Sequence, residues 1–204
     1  MNSVSTRNVI TLKGSAEMVA KFFKYAVTSI IYQRDIYPPE SFRRVQAYGL
    51  AMVEANDKEL QSYIDDIVSQ VKYWLEHGDL QSLILVIHGC ESNTILERWA
   101  FTVETDEEIK ANPEGVQREK SLDLIQKEIQ AIIRQITASV TFLPLLQEPC
   151  RFELIVYTDT NADVPSTWEH SDPKLISNST EVRLRSFSTT VHTVGSAVSY
   201  KRNF

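Results

Sequence analysis

Glycine is scarce in this chain. Six glycines occur in 204 residues, against a norm of about 7%, so phosphate-cradling glycine loops have little raw material. Cysteine is scarcer. Cys90 and Cys150 allow one optional bridge and exclude a disulfide framework. They read as free thiols of a reducing compartment, cytosol or nucleus. Long apolar runs are missing: Leu83 to Ile87 is the longest, far short of the ~20 residues of a membrane helix. Met1-Asn2-Ser3-Val4-Ser5 shows no basic stretch followed by an apolar one, so no secretory leader is expected. Positive charge is also short, with 21 basic against 27 acidic side chains and a net charge of -6. That disfavours general nucleic-acid binding, which needs clustered Lys and Arg.

Catalytic signatures are absent too. No Gly-x-Ser-x-Gly, Walker loop, His-Glu-x-x-His or Gly-x-Gly-x-x-Gly occurs. His88-Gly89-Cys90 offers two metal ligands without a second pair at zinc spacing, and His77, His170 and His192 are scattered. The adjacent carboxylates Asp65/Asp66 and Glu107/Glu108 read as solvated faces. Phe42-Arg43-Arg44 and Tyr200-Lys201-Arg202 are too short for a nucleic-acid platform. Asn178-Ser179-Thr180 fits a glycosylation sequon and, with no leader, reads as a chance match. No enzymatic activity, cofactor or metal is expected.

What is present is an ordinary globular composition, 43% apolar and 24% charged, of a size for one domain. Apolar pairs Met18/Val19, Phe22/Phe23, Ala26/Val27 and Ile30/Ile31 predict a helix that starts at an N-cap Ser15 and stops before Pro38-Pro39. A short helical piece is expected over about 40–49. A longer helix follows, capped by Asp57, with Leu60, Tyr63, Ile64, Ile67, Val68, Val71, Trp74 and Leu75 on its stripe, ending near Gly78. Residues 82–88 and 95–103 read as a hairpin, with Trp99, Phe101 and Val103 on one face. Residues 104–120 read as a solvated loop. The longest helix is expected over about 118–142, and a strand over 150–157. Trp74, Trp168 and Phe142 read as core residues, and Arg134-Gln135 as a solvent-facing pair.

The tail differs. Residues 159–178 are polar, with Pro165, Pro173 and one bulky anchor, Trp168. Residues 181–200 alternate weakly, which predicts strands with poor burial and loosely specified register. The element order predicts an α+β domain with an antiparallel sheet, helices on one side, and an edge that needs covering.

Six strings carry a resemblance: Ile10-Thr-Leu-Lys-Gly-Ser-Ala-Glu, Ile31-Tyr-Gln-Arg, Leu96-Glu-Arg-Trp, Arg134-Gln-Ile-Thr-Ala, Thr141-Phe-Leu-Pro-Leu-Leu and Glu181-Val-Arg-Leu-Arg-Ser-Phe. In this order they resemble the mitotic-arrest-deficient-two family of HORMA-domain spindle-checkpoint proteins, from about residue 9 to 200. Lys201 to Phe204 depart from it. The resemblance implies a single HORMA domain, 1–204. A mainly antiparallel sheet backed by three helices forms a fixed core, 9–157. A mobile C-terminal "safety belt", 158–204, pairs with the sheet edge in an open state. In a closed state it moves to the opposite side, and the vacated edge accepts a partner peptide.

By the same resemblance Trp74, Cys150, Phe152, Leu154, Val156 and Tyr157 are peptide-binding. Arg134, Gln135 and Phe142 form a dimer surface, which replaces the solvent-face reading of Arg134. Leu12, Val182, Leu184, Phe187, His192, Val198 and Tyr200 belong to the conformational switch. Implied partners are a coiled-coil kinetochore scaffold, the activator of the anaphase-promoting complex, other checkpoint proteins, a hexameric ATPase with its adaptor, and a second copy of the chain. Neither nucleic acid nor membrane insertion is implied. The implied locations are nucleus, kinetochore and cytoplasm. A translesion-polymerase subunit or a meiotic axis protein, both sister HORMA proteins, is the rival reading.

Overall fold

A computed structural model describes residues 8–201. The described residues open with strand β1 (Asn8–Ile10) and enter helix α1 (Leu12–Gln33). Thr11, not Ser15, caps this helix: its hydroxyl accepts the Gly14 amide at 3.0 Å. Ser15 lies one turn inside and is fully buried. The apolar pairs do their work, with Val19, Phe22, Phe23, Ala26, Val27, Ile30 and Ile31 all excluded from water. Helix α1 is the central helix of the core.

Residues 40–49 are not helical. After a 3-10 turn at Pro39–Ser41, strands β2 (Phe42–Ala47) and β3 (Leu50–Ala55) form a hairpin. Its two turn residues, Tyr48 and Gly49, have φ of 53° and 68°, the left-handed pair that matches strand twist. Helix α2 (Lys58–His77) begins as expected, with the Asp57 carboxylate accepting the Leu60 amide at 2.9 Å. It ends at Gly78, whose φ of 70° makes the left-handed C-cap.

Strands β4 (Leu80–Gly89) and β5 (Ile95–Thr105) form the expected hairpin. The acidic stretch after it is not simply a loop. Asp106 caps a short helix, α3 (Glu107–Ala111), by accepting the Ile109 amide. Arg118 then bridges back to Asp106 and Glu108, and strand β6 (Arg118–Lys120) pairs with β1. Helix α4 (Leu122–Ala138) therefore starts four residues later than the apolar pattern suggests, because 118–120 are spent on a strand. A 3-10 turn, Ser139–Thr141, closes it before Pro144. Its stripe of Ile125, Ile129, Ile132, Ile133 and Ile136 is buried.

Strand β7 (Cys150–Thr158) pairs antiparallel with β4. The tail then supplies β8 (Ser179–Arg183), β9 (Phe187–Ser188) and β10 (His192–Lys201). The main sheet runs β7-β4-β5-β10-β8, with β9 also paired to β10. The expectation of poor burial in the tail holds for β8, which is mostly exposed, and is overturned for β10. Strand β10 lies inside the sheet, and His192, Val194 and Val198 are fully buried. Short alternating polar residues hid this, because Ser196 and Gly195 occupy the positions between. The three long helices and Trp99, Phe101 and Val103 make one core; Ile84, Val86 and Ile155 form a smaller cluster on the other face of the sheet. No helix of the described residues is long and apolar enough to cross a membrane.

Candidate functional site

The two sides of the sheet are finished differently. Beyond β5 the tail adds β10 and then β8, each in antiparallel register: Val198 opposes Trp99 and Val182. Beyond β4 stands only β7, which ends the sheet, and no described residue forms a strand along its outer edge. An edge with unpaired amides and carbonyls is a template for an incoming strand.

Residues on β7 alternate between the two faces. Cys150, Phe152, Leu154 and Val156 pack toward the helices, while Ile155 and Tyr157 belong to the opposite face. The sequence-derived peptide contacts are thus split across both faces of one edge strand. Phe152 sits edge-on between Tyr37, 6.1 Å away, and Tyr63 on α2, 5.7 Å away. Tyr63 reads from the sequence as part of the α2 stripe but is 41% exposed, and Tyr37 carries no linear signal that would join it to β7. Cys150 donates its Sγ hydrogen to the Glu148 carbonyl at 3.2 Å, and burial pushes its thiol up to about 11. That disfavours the thiolate form at neutral pH. Cys90 is exposed.

The segment from β7 to β8 is anchored at three points. At its root, the Lys110 ammonium bonds the Asp159 carboxylate at 2.7 Å and the Gly78 carbonyl at 2.8 Å. Gln81 donates to the other Asp159 oxygen at 2.7 Å. The Lys110 hydrogen bond, with help from Gln81, holds the Asp159 carboxyl below its ordinary range. Further on, the Trp74 indole donates to the Asp163 carbonyl at 2.8 Å, and Trp168 packs edge-on against Trp74 with ring centres 5.0 Å apart. Trp74 is 1% exposed, so it touches this segment rather than lying open beside β7. Trp168 is half-buried. Third, Arg98 donates to the Pro173 carbonyl at 3.3 Å. Arg98 alternates with the buried Trp99 and so lies on the face away from the helices. The segment therefore begins on the helix side and ends on the other.

A buried ion pair braces the opposite end of the sheet. Arg34, at the end of α1, bonds Glu97 at 2.9 Å and also the Pro144 carbonyl. Burial pushes the Glu97 carboxyl up and Arg34 opposes this. Glu97 also accepts from the Trp99 indole.

The residues that the resemblance assigns to a dimer surface lie where α4 meets the tail. Arg134 is exposed, and Phe142 is 40% exposed beside exposed Val140 and Leu145. The reading of Phe142 as core is therefore corrected: the 3-10 turn at Ser139–Thr141 buries Leu143 instead. Gln135 is not free, since its side-chain oxygen accepts the Arg185 amide at 2.6 Å. Of the residues that the resemblance assigns to a switch, all but Leu12 lie on the tail. Phe187 packs edge-on against Phe22 at 4.9 Å. The Leu184 amide bonds the Ser196 carbonyl at 2.9 Å. Tyr200 pairs across to Thr180. Leu12 is buried in the first turn of α1.

Known proteins share this arrangement. The sequence profile described as HORMA domain matches residues 15–192. The mouse mitotic spindle assembly checkpoint protein MAD2A is 54% identical over 94% of this chain and 93% of its own length. The chain belongs to the HORMA-domain family of MAD2 spindle-checkpoint proteins. The fission-yeast MAD2 component is 46% identical over both full lengths. A chain in the crystal structure of the mitotic checkpoint complex superposes with a TM-score of 0.83 at 44% identity, covering 93% of this chain and 99% of that one. HORMA relatives of other kinds are more distant. Zebrafish MAD2B is 25% identical over 70% of this chain and 65% of its own length. C. elegans HTP-1 shares the fold at 15% identity, with a TM-score of 0.74 over 94% of this chain and 92% of that one. Within this HORMA frame, docking of the tail beyond β5 is the placement that the resemblance implies for the closed state.

Proposed function

We propose that this chain acts in the spindle assembly checkpoint as a peptide-trapping switch without catalytic activity. The observation that carries the reading is the asymmetry of the sheet: β10 and β8 are docked on one side while the β7 edge stands without a strand. A short motif of a partner adds to β7 as a strand. Backbone hydrogen bonds give generic affinity, and pockets for alternate side chains give specificity. Cys150, Phe152, Leu154, Val156 and Tyr157 line that edge, and the 158–204 belt, held by Trp74, closes over the bound segment. Release then requires the belt to detach, so it is slow. The partner shifts the open–closed equilibrium only by its differential affinity for the two states.

The partners are motifs of the kinetochore scaffold and of the anaphase-promoting complex activator. Entrapment, together with other checkpoint proteins, holds that ubiquitin ligase inactive. The exposed surface of Arg134, Phe142 and Val140 suits a second copy of the chain, or the adaptor through which the ATPase reopens it. The sites of action are the nucleus, the kinetochore and the cytoplasm.

The test uses full-length protein and fluorescent peptides of about 20 residues from the scaffold and activator. The expected result is binding that persists for hours after dilution, with new amide protection along β7. Dissociation within seconds, or protection confined to the β2–β3 hairpin, overturns the proposal.

A further inference from the structure

One buried polar cluster is used by nothing described so far. The Ser15 hydroxyl on α1 lies 2.7 Å from His192 Nδ1 and 2.5 Å from the Thr189 hydroxyl. His192 Nε2 lies 3.2 Å from the Leu75 carbonyl at the end of α2. The Thr189 hydroxyl also accepts the His192 amide at 2.9 Å and the Val191 amide at 3.2 Å. Ser15, Thr189 and His192 are all fully excluded from water. Three separate parts of the molecule meet there: the first turns of α1, the last turn of α2, and the start of β10.

A carbonyl only accepts, so the Leu75 contact fixes the neutral tautomer with its proton on Nε2. Nδ1 is then an acceptor, and Ser15 donates to it while accepting from Thr189. Every member is satisfied only when His192 is opposite Thr105 of β5, the register observed. A slip of one residue turns His192 to the other face and takes the imidazole acceptor away from the buried Ser15 hydroxyl. Losing such a buried partner costs about 1–3 kcal/mol. Val194 and Val198 share the buried face with His192, so the same slip also exposes them, and the polar cluster adds a second penalty to theirs.

We infer that His192, held by Ser15 and Thr189, is a positioning residue that, beside Val194 and Val198, holds the belt in its docked register. This rests on the belt reading above. Protonation is the lever that separates a positioning role from mere packing. Burial lowers the His192 pKa to about 4, opposed by the Leu75 carbonyl. The charged groups on the packed elements are Lys13 on α1, Glu76 and His77 at the end of α2, Glu104 and Asp106 around β5, and the Lys120–Glu128 pair beside Ser188; all reach solvent. A histidine whose pKa is lowered on docking favours the docked belt above its free value near 6.5. It loses that contribution as pH falls from about 6.5 toward 4.

The experiment measures amide hydrogen exchange of the full chain without any peptide. Protection factors for 192–200 are compared with those of β4 between pH 7.5 and 4.5. In the wild type, β10 protection is expected to fall at least about tenfold while β4 holds. His192→Gln, which does not titrate, is expected to flatten that fall to within about twofold. Ser15→Ala is expected to lower β10 protection about fivefold at every pH, because it removes the donor and keeps the histidine. Superimposable pH profiles for the wild type and His192→Gln overturn the inference. So does a wild-type β4 that loses protection in step with β10. A wild type that shows the pH-dependent register but retains no partner peptide leaves this inference standing and removes the peptide-trapping reading.

Discussion

Strands β4 and β10 are both interior strands of one sheet, yet they are held there by different means. Strand β4 runs Leu83-Ile84-Leu85-Val86-Ile87, buried on both faces. Its place is set by bulk apolar area, and moving it exposes most of the core. Strand β10 buries two valines, Val194 and Val198, and otherwise relies on His192 and backbone pairing to β5 and β8. Each fully buried valine contributes about 1.5–3 kcal/mol. Backbone hydrogen bonds contribute about 1 kcal/mol each net. The hold on the tail thus rests less on apolar area than the hold on β4 does. Burial alone does not tell a fixed strand from a movable one. What tells them apart is how much of the hold is generic apolar area and how much is a specific polar match.

Three changes test that contrast, in falling order of expected effect. Deleting residues from Val194 onward removes most of β10 and exposes the flank of β5. The expected cost is at least about 5 kcal/mol of stability, with loss of retained peptide. Circular dichroism is expected to show helices α1, α2 and α4 intact. A truncated chain that still holds peptide for hours breaks the contrast, since the belt would then contribute nothing to retention.

Trp168→Ala uncovers Trp74 and frees the middle anchor. About 2 kcal/mol is expected for a half-buried indole with an edge-on aromatic partner. Release of a trapped peptide is expected to quicken at least about tenfold, with faster exchange in 160–170 and none in β4. Equal acceleration in the core would show that belt and core unfold as one unit.

Lys110→Met is the mildest change. The Lys110 and Asp159 side chains are 32% and 37% exposed, so solvent screens the pair and about 0.5 kcal/mol is expected. Release is expected to quicken about twofold, and more weakly still in 0.5 M salt. A change of tenfold or more would place the hinge, rather than the Trp74 contact, in control of the belt.

Much of this molecule is legible from local pattern. The apolar pairs of α1, the Asp57 and Gly78 caps of α2, and the β4–β5 hairpin all follow from periodicity and end signals. The misreadings have local causes as well. Residues 40–49 looked helical because Pro38-Pro39 hid the hairpin's start, and Tyr48 is an unusual occupant of a left-handed turn position. Residues 104–120 looked like loop because α3 has a single buried residue, Ile109. Ser15 looked like a cap because it follows Gly14 and precedes a stripe, whereas its hydroxyl serves a histidine 177 residues away.

Composition and periodicity by themselves determined a one-domain α+β fold with three long helices, and the family strings determined which fold that is. Only the tertiary structure decided which side of the sheet the tail joins, that Phe142 faces water while Leu143 is buried, and that Trp74 grips the tail at Asp163. The physical reason lies in the range of the forces. Helix and strand formation depend on residues a few positions apart. Tail placement depends on Ser15, Leu75 and His192, which no spacing rule connects until the chain has folded them into contact.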